Sequence, residues 1–211
     1  MVERYIDPAF ELSFNELPTD GDLVRWHEVF GADRPLRIEI GVGNSDFLLR
    51  VARSAPGFNY LGFEYSRKRV FKFLKKVDLA GIGCIRILRV NATEVLDRIC
   101  APGSVDHVYI NHPDPWPKRR HARKRLVIPE SAAVLAKLLA PGGGMSLRTD
   151  APDYARQMLE VLDATPGLVN TAGHGSFAAA PLELHATPYE RKFRQAGKEI
   201  FYLEYAKGPS A

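Results

Sequence analysis

The stretch Leu36-Arg37-Ile38-Glu39-Ile40-Gly41-Val42-Gly43 predicts a short strand that ends in a tight glycine turn. Asn44 or Ser45 then supplies the cap of a helix whose apolar residues begin at Phe47 and end at Ala52. A strand, a turn and a helix in this order form the first half of a βαβ unit, in which the next strand returns parallel to the first.

The same alternation continues to the end of the chain. Five more strands are predicted, at Asn59–Glu64, Ile85–Val90, His107–Ile110, Met145–Thr149 and Glu199–Tyr205. The helix capped by Ser66 is expected to bury three apolar side chains on one face, those of Val70, Phe71 and Leu74. A later helix stops at Ala140-Pro141-Gly142-Gly143. Strands that alternate with helices predict an α/β fold with a mainly parallel sheet.

The composition is that of a globular protein of one domain, with 211 residues, 45% of them hydrophobic, and a net charge of +4. We expect residues 1–35 to form an N-terminal extension that packs on a single domain of residues 36–211. Cys84 and Cys100 are far apart and lack metal-ligand spacing, which predicts no disulfide and no metal. With no signal-peptide pattern and no membrane-spanning apolar run, we expect a cytoplasmic protein.

Polar residues and glycines stand where the predicted strands end. They are Glu39 with Gly41, Glu64, Asn91, Asp114 and Asp150. Because the carboxyl ends of parallel strands meet at one edge of a sheet, these residues predict a ligand site at that edge.

The glycine turn indicates which ligand this site binds. Gly41 and Gly43 let a ligand approach the backbone closely. A dinucleotide fingerprint requires a glycine or alanine at position 46, where this chain has Asp46. Acidic groups instead favour a cofactor with positive charge, such as S-adenosylmethionine. Glu64 can accept hydrogen bonds from both ribose hydroxyls, whereas Asn91 either reads the adenine edge or caps the next helix.

A carboxylate and a run of positive charge are combined in Asn111-His112-Pro113-Asp114-Pro115-Trp116-Pro117-Lys118-Arg119-Arg120-His121. Six of the eight residues 118–125 are Lys or Arg, which is typical of a protein that binds a phosphate backbone. We assign that role to Arg119, Arg120, Arg123, Lys124 and Arg125. Asp114 either acts on the bound ligands through its carboxylate or caps the turn. Trp116 either stacks on a base or packs against the loop.

The chain resembles the bacterial tRNA (guanine-N7)-methyltransferases, which are class I S-adenosylmethionine-dependent methyltransferases, from about residue 36 to the C-terminus. The resemblance is carried by residues 113–121 with Lys124-Arg125-Leu126-Val127, by residues 39–43, by Arg148-Thr149-Asp150, and by residues 187–193 with Gly197. The expected fold is a Rossmann-like, doubly wound α/β fold. Its mainly parallel sheet is expected to have seven strands, the last of them antiparallel.

The resemblance implies roles for individual residues. Together with the turn at Gly41 and Gly43, contacts to S-adenosylmethionine are expected from Glu39, Glu64, Asn91 and Asp114, and Asp114 is also the expected catalytic residue. Substrate contacts are expected from Lys118, Asp150, Thr187, Tyr189 and Glu190. The implied partner is tRNA, and the implied reaction forms N7-methylguanosine, usually at guanosine 46 of the variable loop. The chain departs from the family pattern at Ser45, Asn91 and Asn111-His112.

Two other classes of function compete with an RNA methyltransferase. A nicotinamide-dependent oxidoreductase on a similar sheet is disfavoured by Asp46. A non-catalytic RNA-binding protein would use the cationic run alone and leave the polar groups at five strand ends without a purpose. The sequence leaves the oligomeric state open between a monomer and a homodimer.

Overall fold

The structure, a computed structural model, describes residues 10–20, 23–180 and 186–209. In chain order the strands are β1 (Glu11–Leu12), β2 (Thr19–Asp20), β3 (Leu23–Val24), β4 (Leu36–Ile40), β5 (Asn59–Phe63), β6 (Ile85–Leu88), β7 (Val105–Asn111), β8 (Leu139–Thr149), β9 (Leu168–Asn170) and β10 (Phe201–Lys207). The α-helices are α1 (Trp26–Phe30), α2 (Phe47–Ser54), α3 (Arg67–Ala80), α4 (Leu96–Ile99), α5 (Pro129–Leu138), α6 (Pro152–Asp163) and α7 (Pro188–Gln195).

The main sheet has the strand order β1-β6-β5-β4-β7-β8-β10-β9, and β2 and β3 form a separate pair. The strands from β1 to β8 in this order are parallel, and β10 runs antiparallel to both of its neighbours. The predicted class of fold and the antiparallel last strand are therefore confirmed. Among the described residues, the sheet has eight strands rather than seven, since β1 joins its edge. This strand has only two residues and is too short for a periodic pattern to predict.

Helices cover both faces of the sheet. The apolar side chains of α2 and α3 form one buried cluster with β5 and β6, and those of α4, α5 and α6 form another on the opposite face. The prediction that Phe71 is buried was wrong, since its side chain is 51% exposed. The buried stripe of α3 is formed by Val70, Phe73, Leu74 and Val77, which follow the helical period, and Phe71 lies off that stripe.

The described part of the N-terminal segment touches the main body of the protein. Leu12, Phe14, Leu17 and Trp26 pack against the apolar cluster beneath α5 and α6. The division of the chain at residue 35 stays a prediction. Within the described ranges, no helix has the length and apolar content needed to cross a membrane.

Gly62, in the middle of β5, lies where neighbouring side chains leave no room for a Cβ atom. A Cβ atom there would lie 2.5 Å from Ile87 Cδ1 and 2.6 Å from Val42 Cγ1. We expect Gly62→Ala to lower the free energy of unfolding by about 1–3 kcal/mol, because the core must shift to admit a methyl group. Urea denaturation tests this, with Gly57→Ala as the matched control, since a Cβ there meets nothing within 4 Å. Equal stability of the two variants would contradict the prediction.

Candidate active site

The carboxyl ends of the central strands open into one cleft of about 1160 Å³. Most of the predicted site residues line it: Glu39, Gly41, Gly43, Glu64, Asn91, Asp114, Arg123, Lys124, Arg125, Asp150, Thr187 and Tyr189. Of the described side chains, those of Lys118, Arg120 and Glu190 do not line it, and the side chain of Arg119 lies outside the described part of the structure. The structure thus brings together residues that are far apart in the sequence, as the topology of a parallel sheet requires.

The floor of the cleft is formed by the end of β4 and the glycine turn that follows. Gly41 and Gly43 have φ angles of 81° and 57°, a left-handed conformation that glycine adopts without steric cost. The Glu39 side chain is fully buried, and its Oε1 accepts a hydrogen bond of 2.7 Å from Asn111 Nδ2. Its Oε2 has no hydrogen-bond partner among the described residues.

Burial dominates the electrostatics of Glu39. It raises the pKa of this carboxyl to about 8, although the hydrogen bond from Asn111 and the charge of Arg148 oppose the change. A buried, half-satisfied carboxyl group is costly unless a ligand completes it. Glu39 Oε2 is therefore available to bind a cationic or hydrogen-bond-donating ligand.

Glu64 and Asn91 stand at the ends of the next two strands. The buried Glu64 carboxylate accepts from the backbone N–H of Gly43 at 3.2 Å and of Ser66 at 2.9 Å, which holds it beside the glycine turn. Asn91 caps a short 3-10 helix by accepting from the N–H and hydroxyl of Thr93. Asn91 thus fulfils the capping role and also lines the cleft, so the sequence-based alternatives are compatible.

The loop after β7 carries Asp114 on strained backbone. His112 and Trp116 have φ angles of 49° and 41°, in the left-handed region that is unusual for residues other than glycine. Among the described residues, the Asp114 carboxylate forms no hydrogen bond or ion pair. It is exposed to the cleft, so the structure does not support the alternative that Asp114 caps the turn.

Two residues of the cationic segment, Arg125 and Lys124, make contacts that hold the loop in place. Arg125 donates to the carbonyl oxygen of Pro115 at 2.8 Å and to Gln157, and its guanidinium lies 4.8 Å from the centre of the Tyr154 ring. These contacts fasten the strained loop to α6. Lys124 lies 5.0 Å from the centre of the Trp116 ring, so Trp116 packs within the loop while also lining the cleft.

The opposite wall is formed by α7, which an internal ion pair holds in place. Thr187 caps α7 by accepting from the N–H of Glu190 at 3.0 Å. The fully buried Glu190 carboxylate accepts from Arg148 at 2.8 Å and also from Tyr202 and Arg194. Burial raises the pKa of Glu190, but these hydrogen bonds outweigh it, so the pKa lies below its ordinary value. The Glu190 carboxylate faces its ion-pair partners rather than the cleft.

His112 and Asp150 meet where this wall joins the loop. Asp150 pairs with Lys198 at 2.9 Å, and His112 Nδ1 lies 3.7 Å from Asp150 Oδ1. Neither ring nitrogen of His112 has a hydrogen-bond partner among the described residues, and the ring packs edge-on against Phe193. Burial lowers the pKa of His112 to about 4, more than Asp150 raises it, so the ring is neutral at neutral pH.

Three residues of this site have no role that sequence patterns assign: Asn111, His112 and Arg148. Of these three, Arg148 alone could have been noticed in the sequence. A charge inside the mostly apolar strand 145–149 must be paired when the strand is buried, so it indicates an ion pair. Asn111 and His112 gain their contacts only from strands and helices that are distant in the sequence. Among the described residues, there is no cluster of His, Cys, Asp and Glu suited to a metal ion.

Comparison with known proteins identifies the chain. A family described as "Putative methyltransferase" matches residues 33–203. The tRNA (guanine-N(7)-)-methyltransferase of Leifsonia xyli subsp. xyli is 40% identical over 202 residues, which cover 96% of this chain and 87% of that protein. The enzyme of the same name from Geobacter metallireducens is 35% identical over 207 residues, covering 98% and 96%.

Solved structures agree on the fold. The aminoglycoside resistance methyltransferase NpmB1 superposes with a TM-score of 0.58 at 18% identity, over 87% of this chain and 92% of that one. The fold and the family match define a Rossmann-like methyltransferase. The chain belongs to the tRNA (guanine-N7)-methyltransferase family, which confirms the resemblance found in the sequence.

Removal of one partner from the ion pair between Arg148 and Glu190 should destabilise the fold. Because both side chains are buried, Arg148→Met leaves a carboxylate without its main partner, and we expect a loss of about 3 kcal/mol in the free energy of unfolding. Arg156→Met is the control, since Arg156 pairs with Asp153 on the surface, where a change below about 1 kcal/mol is expected. Chemical denaturation that ranks the two variants equally would contradict this assignment.

Proposed function

We propose that this protein transfers the methyl group of S-adenosylmethionine to N7 of guanosine in tRNA, at guanosine 46 of the variable loop, as a cytoplasmic enzyme. The observation that carries the proposal is that two carboxyl groups line one cleft beside a cationic segment: the buried, half-satisfied Glu39 and Asp114, which forms no hydrogen bond or ion pair among the described residues. Membership of the family supports the same conclusion, since its named members act on guanine N7 in tRNA.

The residues at the floor of the cleft fit S-adenosylmethionine. Glu39 Oε2 can accept from the ammonium group of its methionine part, and the turn at Gly41 and Gly43 leaves room for close approach. Glu64 retains lone pairs for ribose hydroxyls, and Asn91 lies beside them for the adenine edge. When bound, the cofactor supplies an electrophilic methyl group on a positively charged sulfur.

Asp114 would act by orientation rather than as a base. Guanine N7 carries a lone pair and no proton, so no group is needed to activate it. The Asp114 carboxylate can accept from the guanine N1–H and amino group, and it favours the positive charge that methylation places on the ring. Orientation of two bound reactants contributes up to roughly 7–11 kcal/mol to lowering the barrier.

The remaining predicted residues would contact the RNA or shape its site. Asp150, Thr187 and Tyr189 line the cleft and are proposed to contact the substrate nucleotide, together with Lys118 from the cationic segment. Because the Glu190 carboxylate is fully engaged, we propose that it serves the substrate by fixing α7. Arg119, Arg120, Arg123 and Lys124 are proposed to bind phosphates, and Arg125 to hold the loop that presents them.

The direct test of the function is methyl transfer to RNA. Purified protein, radiolabelled S-adenosylmethionine and an unmodified tRNA transcript should yield N7-methylguanosine, and nucleoside mapping should locate it at position 46. A transcript in which that guanosine is replaced by adenosine should accept no label. Methylation of another base would overturn the proposed reaction, and N7-methylguanosine elsewhere would overturn only the position.

Asp114→Ala should lower the rate of methyl transfer by about 10²-fold or more, because the base loses its orienting carboxylate. The variant should fold normally, since Asp114 makes no hydrogen bond among the described residues. Single-turnover rates with saturating RNA measure the effect, and circular dichroism checks the fold. Asp97→Ala, on the exposed side of α4, is the control. A rate near that of the wild type would exclude Asp114 as the catalytic residue.

Binding of S-adenosylmethionine should release a proton from Glu39. Its pKa of about 8 means that the carboxyl is mostly protonated at pH 7 in the free protein, whereas a cationic ligand favours the carboxylate. Affinity should therefore rise as the pH increases from 7 to about 9. Calorimetry in buffers of different ionisation enthalpy counts the protons. Glu39→Gln should abolish the release and Glu130→Gln should not; equal heats for the wild type in all buffers would contradict the prediction.

A further inference from the structure

Helix α3 carries an unusual concentration of positive charge. Its 14 residues include six cations, Arg67, Lys68, Arg69, Lys72, Lys75 and Lys76, and one acid, Asp78. Helix α6, of similar length, has the opposite balance, with one cation and three acids. The charge of α3 is therefore a local feature and does not follow from the modest net charge of the whole chain.

The cations of α3 are largely uncompensated. Arg67, Lys68 and Lys72 are exposed and form no ion pair among the described residues. Arg69 lies 3.7 Å from Glu64, and Lys76 donates to the carbonyl oxygens of Asn44 and Ser45. Like charges one turn apart on a helix destabilise it slightly. A polyanionic partner would remove this repulsion.

The position of α3 relates this charge to the active site. The helix begins at Arg67, three residues after Glu64, and both Tyr65 and Arg69 line the cleft. Arg123 and Lys124 line the same cleft from the loop after β7. Cations from two segments therefore border the cleft: the segment 118–125, which the sequence pattern predicted, and α3, which it did not predict.

Exposed aromatic rings accompany the charge. Phe71 is 51% exposed and Tyr65 is 65% exposed, and the ammonium of Lys75 lies 4.6 Å from the centre of the Phe71 ring. Cations interleaved with exposed rings suit RNA whose bases are unstacked, because phosphates meet the charges and bases stack on the rings. An anionic membrane would match the charge but would block the mouth of the cleft.

We infer that the exposed face of α3 is a second RNA-binding surface, which holds the phosphate backbone next to the nucleotide in the cleft. This inference rests on the proposed function, because it takes the RNA to be the substrate. The strand would then be gripped on both sides of the target nucleotide, by α3 and by the cationic segment 118–125. Phosphate contacts on both sides of the target nucleotide would hold its base in the cleft better than contacts on one side.

Charge reversal on α3 tests this surface. Lys68→Glu/Lys72→Glu should raise the Kd for an unmodified tRNA transcript about tenfold or more. The slope of log Kd against log salt should fall by about 2, which corresponds to the loss of two phosphate contacts. The affinity of the same variant for S-adenosylhomocysteine should not change, because neither lysine is among the residues that line the cleft. Arg53→Glu/Lys137→Glu is the matched control, with the same change in charge at the edge of the sheet opposite the cleft.

The outcomes separate this inference from the proposed function. If the wild type methylates the transcript and both double variants bind RNA equally well, the α3 surface is excluded while the function stands. If the wild type yields no N7-methylguanosine, the proposed function fails first. Loss of binding to vesicles of anionic lipid, without any change in RNA affinity, would instead assign α3 to a membrane and overturn the inference.

Phe71→Ser tests the contribution of the rings separately. Because stacking is not ionic, the variant should weaken RNA binding about fivefold or more with an unchanged salt slope. Leu79→Ser, on the last turn of the same helix and also exposed, controls for loss of apolar surface. Equal affinities of the two variants would exclude base stacking on Phe71.

Discussion

The buried ion pair between Arg148 and Glu190 is the interaction on which the geometry of the cleft depends. It joins the end of β8 to α7, and Tyr202 on β10 adds a further hydrogen bond to the same carboxylate. The Arg148 guanidinium also lies 5.2 Å from the centre of the Phe47 ring on α2. Four elements from different parts of the chain, β8, α7, β10 and α2, therefore meet at this ion pair.

A buried ion pair is weak evidence for stability, since desolvation offsets much of the attraction, but it is demanding in geometry. Each partner must lie where the other satisfies it, so α7 cannot slide along the sheet without leaving a charge unpaired. This requirement determines where Thr187 and Tyr189 stand relative to Asp114. The wall of the cleft is thus positioned by a contact that does not itself line the cleft.

Charge is segregated between the inside and the outside of the cleft. Glu39, Glu64, Asp114 and Asp150 face inward, where a positively charged cofactor and a base that becomes cationic would be stabilised. Lysine and arginine residues stand at the mouth, where a polyanion would be held. The strained backbone at His112 and Trp116 lets Asp114 project between these two zones, and Arg125 compensates the strain by fixing the loop to α6.

The fold and much of the cleft follow from local patterns alone. Strands that alternate with helices form a parallel sheet, and the carboxyl ends of its strands meet at one edge, so Glu39, Glu64 and Asp114 are predicted to be neighbours. The tertiary structure alone decided which polar groups remain unsatisfied. Glu190 pairs with Arg148, and neither ring nitrogen of His112 has a hydrogen-bond partner among the described residues, because both outcomes depend on residues that packing brings near from elsewhere in the chain.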